Sequence, residues 1–189
     1  MNQNLIVASV LASAIAFPAA AQPLEPNTEQ LVSDARSLVK TFAGSLKKEL
    51  KAAIQNGGLT NGIGVCNTVA PHIAEANSND NWTISRTSLK PRNPDNAPTD
   101  WQEMQLLAME KQPVKDGKPV EFWQVSDASG QSQFRYMSAI PTQKLCLGCH
   151  GKSIDDGVKV KLAELYPEDK ATGFSEGDLR GAFVVTYQP

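Results

Sequence analysis

The sequence predicts an α+β fold, with helices packed around one antiparallel sheet and a long helix near the N-terminus. Two observations carry that prediction. Apolar residues recur at steps of three and four through the first third of the chain, and short alternating segments bounded by turn residues occupy the later part. No internal repeat is present in the 189 residues.

The long helix is predicted over Glu29 to Gln55, from Leu31, Ala35, Leu38, Val39, Phe42, Leu46, Leu50, Ala53 and Ile54. Lys47, Lys48 and Lys51 lie near its C-terminal end, where the helix dipole favours cations. Thr28 is the expected N-cap and Gly57-Gly58 the expected stop. A second helix is expected from about Thr60 to Ala76, with Pro71 either kinking it or opening a new first turn. Trp82 to Ser88 alternates as a strand that places Trp82, Ile84 and Arg86 on one face. Pro91 to Pro98 holds three prolines and two asparagines and reads as a loop. Asp100 is expected to cap a helix to about Lys111, with Trp101, Met104, Leu107 and Ala108 on its inner side. Val120 to Ser126 and Gln133 to Ile140 flank Asp127-Ala128-Ser129-Gly130 and read as a β-hairpin. A short helical turn then spans Thr142 to His150, a helix Asp155 to Leu165, and a last strand Ala182 to Tyr187.

The first residues read as a targeting segment. Leu5 to Ala16 is an uncharged apolar run, followed by Phe17-Pro18 and the small-residue site Ala19-Ala20-Ala21. This is the pattern of a secretory signal peptide at 1–21, although Met1 to Asn4 carries no Lys or Arg. Its length falls short of the ~20 apolar residues of a membrane span. The expected product is a single exported domain, 22–189, periplasmic in a two-membrane cell and otherwise secreted. Its 18 basic and 20 acidic residues nearly cancel and form no basic block, which argues against nucleic acid and anionic membrane as partners.

Cys146-Leu147-Gly148-Cys149-His150 has the spacing of a c-type haem attachment motif. Two thiols add to the two vinyl groups of one porphyrin, and the adjacent histidine becomes the proximal iron ligand. The competing readings are a thioredoxin-like pair, which lacks the following histidine, and half a zinc site, which needs partners that only Cys66 and His72 could supply. Attaching Cys146 and Cys149 leaves Cys66 as the odd one of three cysteines. The distal ligand then has five candidates: Cys66, His72, Met104, Met109 and Met137. A methionine raises the potential and a thiolate lowers it. Cys66 and His72 stand about 240° apart on a regular helix and do not share a face unless Pro71 breaks it. Arg86, Lys90 and Arg92 read either as a solvated basic loop or as partners of the haem propionates, with Arg86 and Arg92 suited to bidentate pairing.

Four segments carry a resemblance over about residues 31–185. They are Gly64-Val65-Cys66-Asn67 with Ala70-Pro71-His72-Ile73-Ala74, the stretch Arg86-Thr87-Ser88 through Arg92-Asn93-Pro94 to Pro98, Cys146 to Gly151, and Tyr166-Pro167-Glu168-Asp169-Lys170-Ala171-Thr172-Gly173 followed by Gly181-Ala182. Together they resemble the Cys/His-ligated c-type haem domain, a family long catalogued as a domain of unknown function. The resemblance implies a PAS-like antiparallel sheet flanked by helices, one covalent haem c, His150 as proximal ligand and Cys66 as distal ligand. It also implies one-electron transfer or redox sensing with a redox or signalling protein as partner. A gas sensor in which Cys66 is displaced by nitric oxide or carbon monoxide is the alternative, and a peroxidase-like enzyme a more distant one. The family pattern has an acidic residue directly after the tryptophan near the proline-rich loop, where this chain has Trp101-Gln102.

Overall fold

A computed structural model describes residues 27–128 and 131–189. The expected signal segment and the Ser129-Gly130 tip of the hairpin lie outside the described residues.

Helix α1 spans Thr28–Gly64 and is capped by Asn27, whose side chain accepts from the Gln30 N–H, one residue earlier than expected. Gly57-Gly58 does not end it but kinks it. Gly58 takes φ 72°, a conformation glycine reaches without steric cost, and Asn61 Nδ2 donates back across the kink to the Ala53 carbonyl. The helical path then widens into a π-turn, Val65–Val69, before α2, Ala70–Ala76. The local causes are visible in the sequence. Thr68 Oγ donates to the Gly64 carbonyl, the Ala70 N–H reaches back five residues to Val65, and Pro71 has no N–H to continue the regular ladder. Pro71 therefore opens a new first turn.

The strands are β1 Trp82–Thr87, β2 Val114–Lys115, β3 Lys118–Pro119, β4 Glu121–Ala128, β5 Gln131–Pro141 and β6 Leu179–Tyr187. Four form one antiparallel sheet in the order β1-β6-β5-β4. The α+β architecture expected from the sequence is thus the one formed. The small β2–β3 hairpin was not anticipated, although Asp116-Gly117, both at positive φ, is its turn signal.

Alternation along the strands gives the sheet two apolar faces. Ile84, Phe134, Tyr136 and Val185 meet Leu31, Val32, Ala35 and Phe42 of α1. Met137, Ala139, Ala182 and Val184 meet Leu106 and Met109 of α3, Asp100–Lys111. The inner side of α3 thus differs from the expected one: Met104 is 60 % exposed and Leu107 is exposed, whereas Leu106 and Met109 are buried. Its N-cap is Thr99 rather than Asp100, in a capping box closed by Gln102, whose side chain accepts from the Thr99 N–H. A Gln serves this box as an acidic residue would, so the departure at Gln102 leaves the local contact in place.

One polar clamp ties α1 to the sheet. Arg36 donates to Glu121 at 2.7 Å, and the buried Tyr136 hydroxyl donates to the same carboxylate at 2.6 Å. Burial pushes the Glu121 carboxyl up, but the hydrogen bonds from Arg36 and Tyr136 outweigh it and hold the group below its ordinary value. Among the described residues no helix is long and apolar enough to cross a membrane.

Candidate functional site

A third apolar cluster brings the two cysteine segments together. Leu59 and Ile63, beyond the kink of α1, pack on Val158 and Leu162 of α5, Asp156–Leu165, with Tyr166 and Cys149 in the same cluster. The Cys146–His150 motif runs through a 3₁₀ turn, Lys144–Cys146, and one helical turn, α4, Leu147–His150. Cys66 reaches this region from the π-turn. Burial and the nearby Cys66 push the titration of Tyr166 up, and Asn67, the neighbour of Cys66, opposes the shift. Burial also raises the Cys149 thiol, and Cys66 and Cys146 add to the effect, so the three sulfurs share one electrostatic environment. All three are free, half-buried thiols.

His150 is fixed by its surroundings. Its Nδ1 lies 2.7 Å from the Ala171 carbonyl oxygen, which only accepts, so Nδ1 carries the proton and Nε2 the lone pair. Burial first, then the positive charges of Arg180 and Arg92, pull its titration down to about 2, and the ring is neutral. The motif's C-terminal end is clasped by the loop after α5: the Phe174 N–H donates to the His150 carbonyl and the Gly173 N–H to the Gly151 carbonyl. Phe174 meets the imidazole edge-on at 6.3 Å. Gly151 is required where it stands, because a Cβ there would collide with the Leu147 carbonyl oxygen.

The proline-rich loop, whose residues haem attachment does not itself call for, braces this clasp. Arg92 is 6 % exposed. Its Nε donates to Asp169 at 3.1 Å, its Nη2 donates to the Cys149 carbonyl and to the Ala171 carbonyl at 3.2 Å, and Nη2 also lies 3.0 Å from the Asp169 carboxylate as an ion pair. Lys170 N–H donates to the Pro91 carbonyl. Nε and Nη2 of Arg92 are thus engaged by protein partners. Arg86 stands on the α1 side of β1 with its guanidinium 5.8 Å from the Phe42 ring centre, and burial lowers its titration while Cys66 and Tyr166 oppose that shift. Lys90 is exposed, its ammonium 5.4 Å from the Phe174 ring centre.

Arg180 is the site residue that sequence reasoning missed. It opens β6 beside Leu179, its Nε is 3.5 Å from His150 Nε2, and its Nη1 donates to Ser88 Oγ at 3.1 Å. Burial, then Arg92 and Arg86, push its titration down to about 10. Its only signal in the sequence is a basic residue between the turn at Gly177-Asp178 and an apolar strand. The other ligand candidates lie elsewhere. The His72 side chain is 80 % exposed beside Glu75, and Met109 and Met137 are core residues on the α3 face of the sheet.

These residues fit a haem. The His150 imidazole carries its lone pair on Nε2, where Arg180 Nε approaches to 3.5 Å, and thiols stand on both the motif and the facing π-turn. Arg92 and Arg86 both press on the charge of Arg180, and Asp169, paired with Arg92, is the acidic group beside them, which leaves an excess of positive charge suited to two carboxylates. Among the described residues no group of three His, Cys, Asp or Glu side chains is arranged to hold a bare metal ion, which disfavours the zinc reading.

The comparisons agree with this geometry. The chain is similar to the solved structure titled as the crystal structure of the cyanobacterial haem protein Tll0287, at 26 % identity and a TM-score of 0.56, over 86 % of this chain and 97 % of that one. No curated protein matches the chain. A family model described as Tll0287-like matches residues 19–188, nearly the whole sequence, and the chain belongs to the Tll0287-like family.

Proposed function

We propose that this chain is an exported mono-haem protein that holds one haem c through Cys146 and Cys149, with His150 and Cys66 as the axial iron ligands. Its work is one-electron transfer or redox sensing, not turnover of a substrate. The observation that carries this reading is the setting of His150 at the end of the Cys146–His150 motif: Nδ1 is tied to the Ala171 carbonyl at 2.7 Å, which leaves the lone pair on Nε2. The similarity to a protein described as a haem protein supports it.

Bound haem supplies an Fe(III)/Fe(II) couple. The chain's own residues set the conditions for it. Cys146 and Cys149 would hold it covalently through their thiols, beside His150. Cys66, offered by the widened turn, would be the second ligand, and a thiolate there would favour the ferric state and a low potential. Arg86 and Arg180 would neutralise its propionates, with Phe174 and the Leu59–Leu162 cluster lining its surroundings. With His150 and Cys66 both serving as ligands, little room would be left for a substrate at the iron, and His72, turned to solvent, would not supply acid–base work there. The leader pattern supports export to the periplasm or the exterior, and the partner that fits this role is a redox or signalling protein.

The test is spectroscopic. Expressed with export and haem maturation, the protein is expected to retain its haem through acid–acetone extraction and to give a low-spin ferric spectrum. Cys66→Ala is expected to lose or alter that spectrum and shift the potential upward, with the haem still covalent. Extractable haem, or a high-spin ferric spectrum in the unmodified protein, sinks the reading. Carbon monoxide binding to the ferrous form would favour the gas-sensing alternative.

A further inference from the structure

We infer that Arg92 is a positioning residue that tunes the iron through a shared acceptor, the Ala171 carbonyl; the inference rests on the reading of His150 as an iron ligand. Two donors meet on that oxygen: His150 Nδ1 at 2.7 Å and Arg92 Nη2 at 3.2 Å. The same Nη2 also donates to the carbonyl of Cys149, the residue preceding the histidine, so one guanidinium spans both ends of the motif's clasp. Asp169 holds it there, accepting from Nε and ion-paired with Nη2, while its other carboxylate oxygen accepts the Ala171 N–H at 2.7 Å. Asp169 thereby fixes the peptide that bears the shared oxygen as well as the cation that binds it.

The chemical consequence follows from what a carbonyl does behind a ligating histidine. A strong acceptor draws the Nδ1 proton away, makes the ring more imidazolate-like and increases its donation to the metal. A cationic donor on the same oxygen withdraws electron density and makes it a weaker acceptor for His150. Arg92 therefore restrains the basicity of His150, and its charge, partly offset by Asp169, acts in the same direction by disfavouring the ferric state. Both effects raise the potential, in opposition to a thiolate on the other face. The buried pair is thus the counterweight to Cys66.

Two variants of the haem-loaded protein test this. Arg92→Lys keeps the charge but loses the planar fork that reaches both carbonyls. Arg92→Gln with Asp169→Asn removes the buried pair together, so that no lone charge is left behind. The readouts are the His150 Nδ1–H proton resonance of the ferrous protein by ¹⁵N-edited NMR, and the midpoint potential. In both variants the resonance is expected to move downfield, as the bond to Ala171 strengthens, and the potential to fall, more in the double variant. A purely structural brace would lower the melting temperature and leave resonance and potential where they were, and that result overturns the inference. If His150→Ala leaves the visible spectrum of the parent unchanged, the ligand reading itself fails and takes this one with it.

Discussion

Replacing Tyr136 by Phe removes one hydroxyl from the clamp that fastens α1 to the sheet. The ring stays buried against Ile84 and Val185, so the apolar packing is retained and only the 2.6 Å bond to Glu121 is lost. Hydrogen bonds to a charged group contribute about 1.5–3 kcal/mol. Glu121 keeps its Arg36 contact at 2.7 Å and is partly open to water, which replaces some of the missing donation. The expected loss is therefore about 1.5 kcal/mol at pH 7, or roughly 3–6 °C in Tm for a domain of this size. The pH dependence carries the sharper content. The folded Glu121 carboxyl titrates below its unfolded value, so its contribution is complete above the ordinary carboxylate range and is lost as pH falls through the folded pKa. The difference between wild type and Tyr136→Phe, measured by urea melts through the acid range, is expected to shrink toward the ~1 kcal/mol of a neutral hydrogen bond as pH falls through the folded pKa. A difference that stays equal to its pH 7 value throughout the acid range would refute the assignment of this energy to the carboxylate.

Met109→Ala is expected to cost about 2–5 kcal/mol in chemical denaturation, as a fully buried side chain, and to leave the haem spectrum unchanged; a changed spectrum would return methionine ligation to consideration. Gly151→Ala forces a methyl group against the Leu147 carbonyl and is expected to lower stability by about 1–3 kcal/mol, with reduced covalent haem yield in the exported protein. Gln102→Glu preserves the capping box, so a thermal melt is expected to stay within about 0.5 kcal/mol of wild type.

What the sequence made legible was local. Cys146 to His150 is a contiguous motif, and Cys66 stood out by the count of thiols, so both were visible without any tertiary knowledge. The strands were visible because Trp82, Ile84 and Arg86 alternate over a length that fits one sheet face. What was hidden depends on distance along the chain. Arg92 finds Asp169 across 77 positions and Arg180 finds Ser88 across 92, and no periodicity announces such pairs. The inner face of α3 was misjudged because Trp101, Met104, Leu106, Leu107, Ala108 and Met109 place apolar side chains around most of a short helix. The sheet, not the spacing, selects Leu106 and Met109. The π-turn spans five residues, too few to shift a hydrophobic period, and Pro71 marked only its end.

The order β1-β6-β5-β4 puts the last strand of the chain in the middle of the sheet. Trp82 pairs with Tyr187 and Thr87 with Ala182, so β1 has no strand neighbour until β6 arrives about a hundred residues later. Contacts of such separation form late, because the loop between them must be closed first. Arg180 rides on that strand, and Ser88, which holds it, follows β1 directly. The contact between Arg180 and Ser88, and with it one side of the cationic wall, therefore depends on the docking of β6 beside β1.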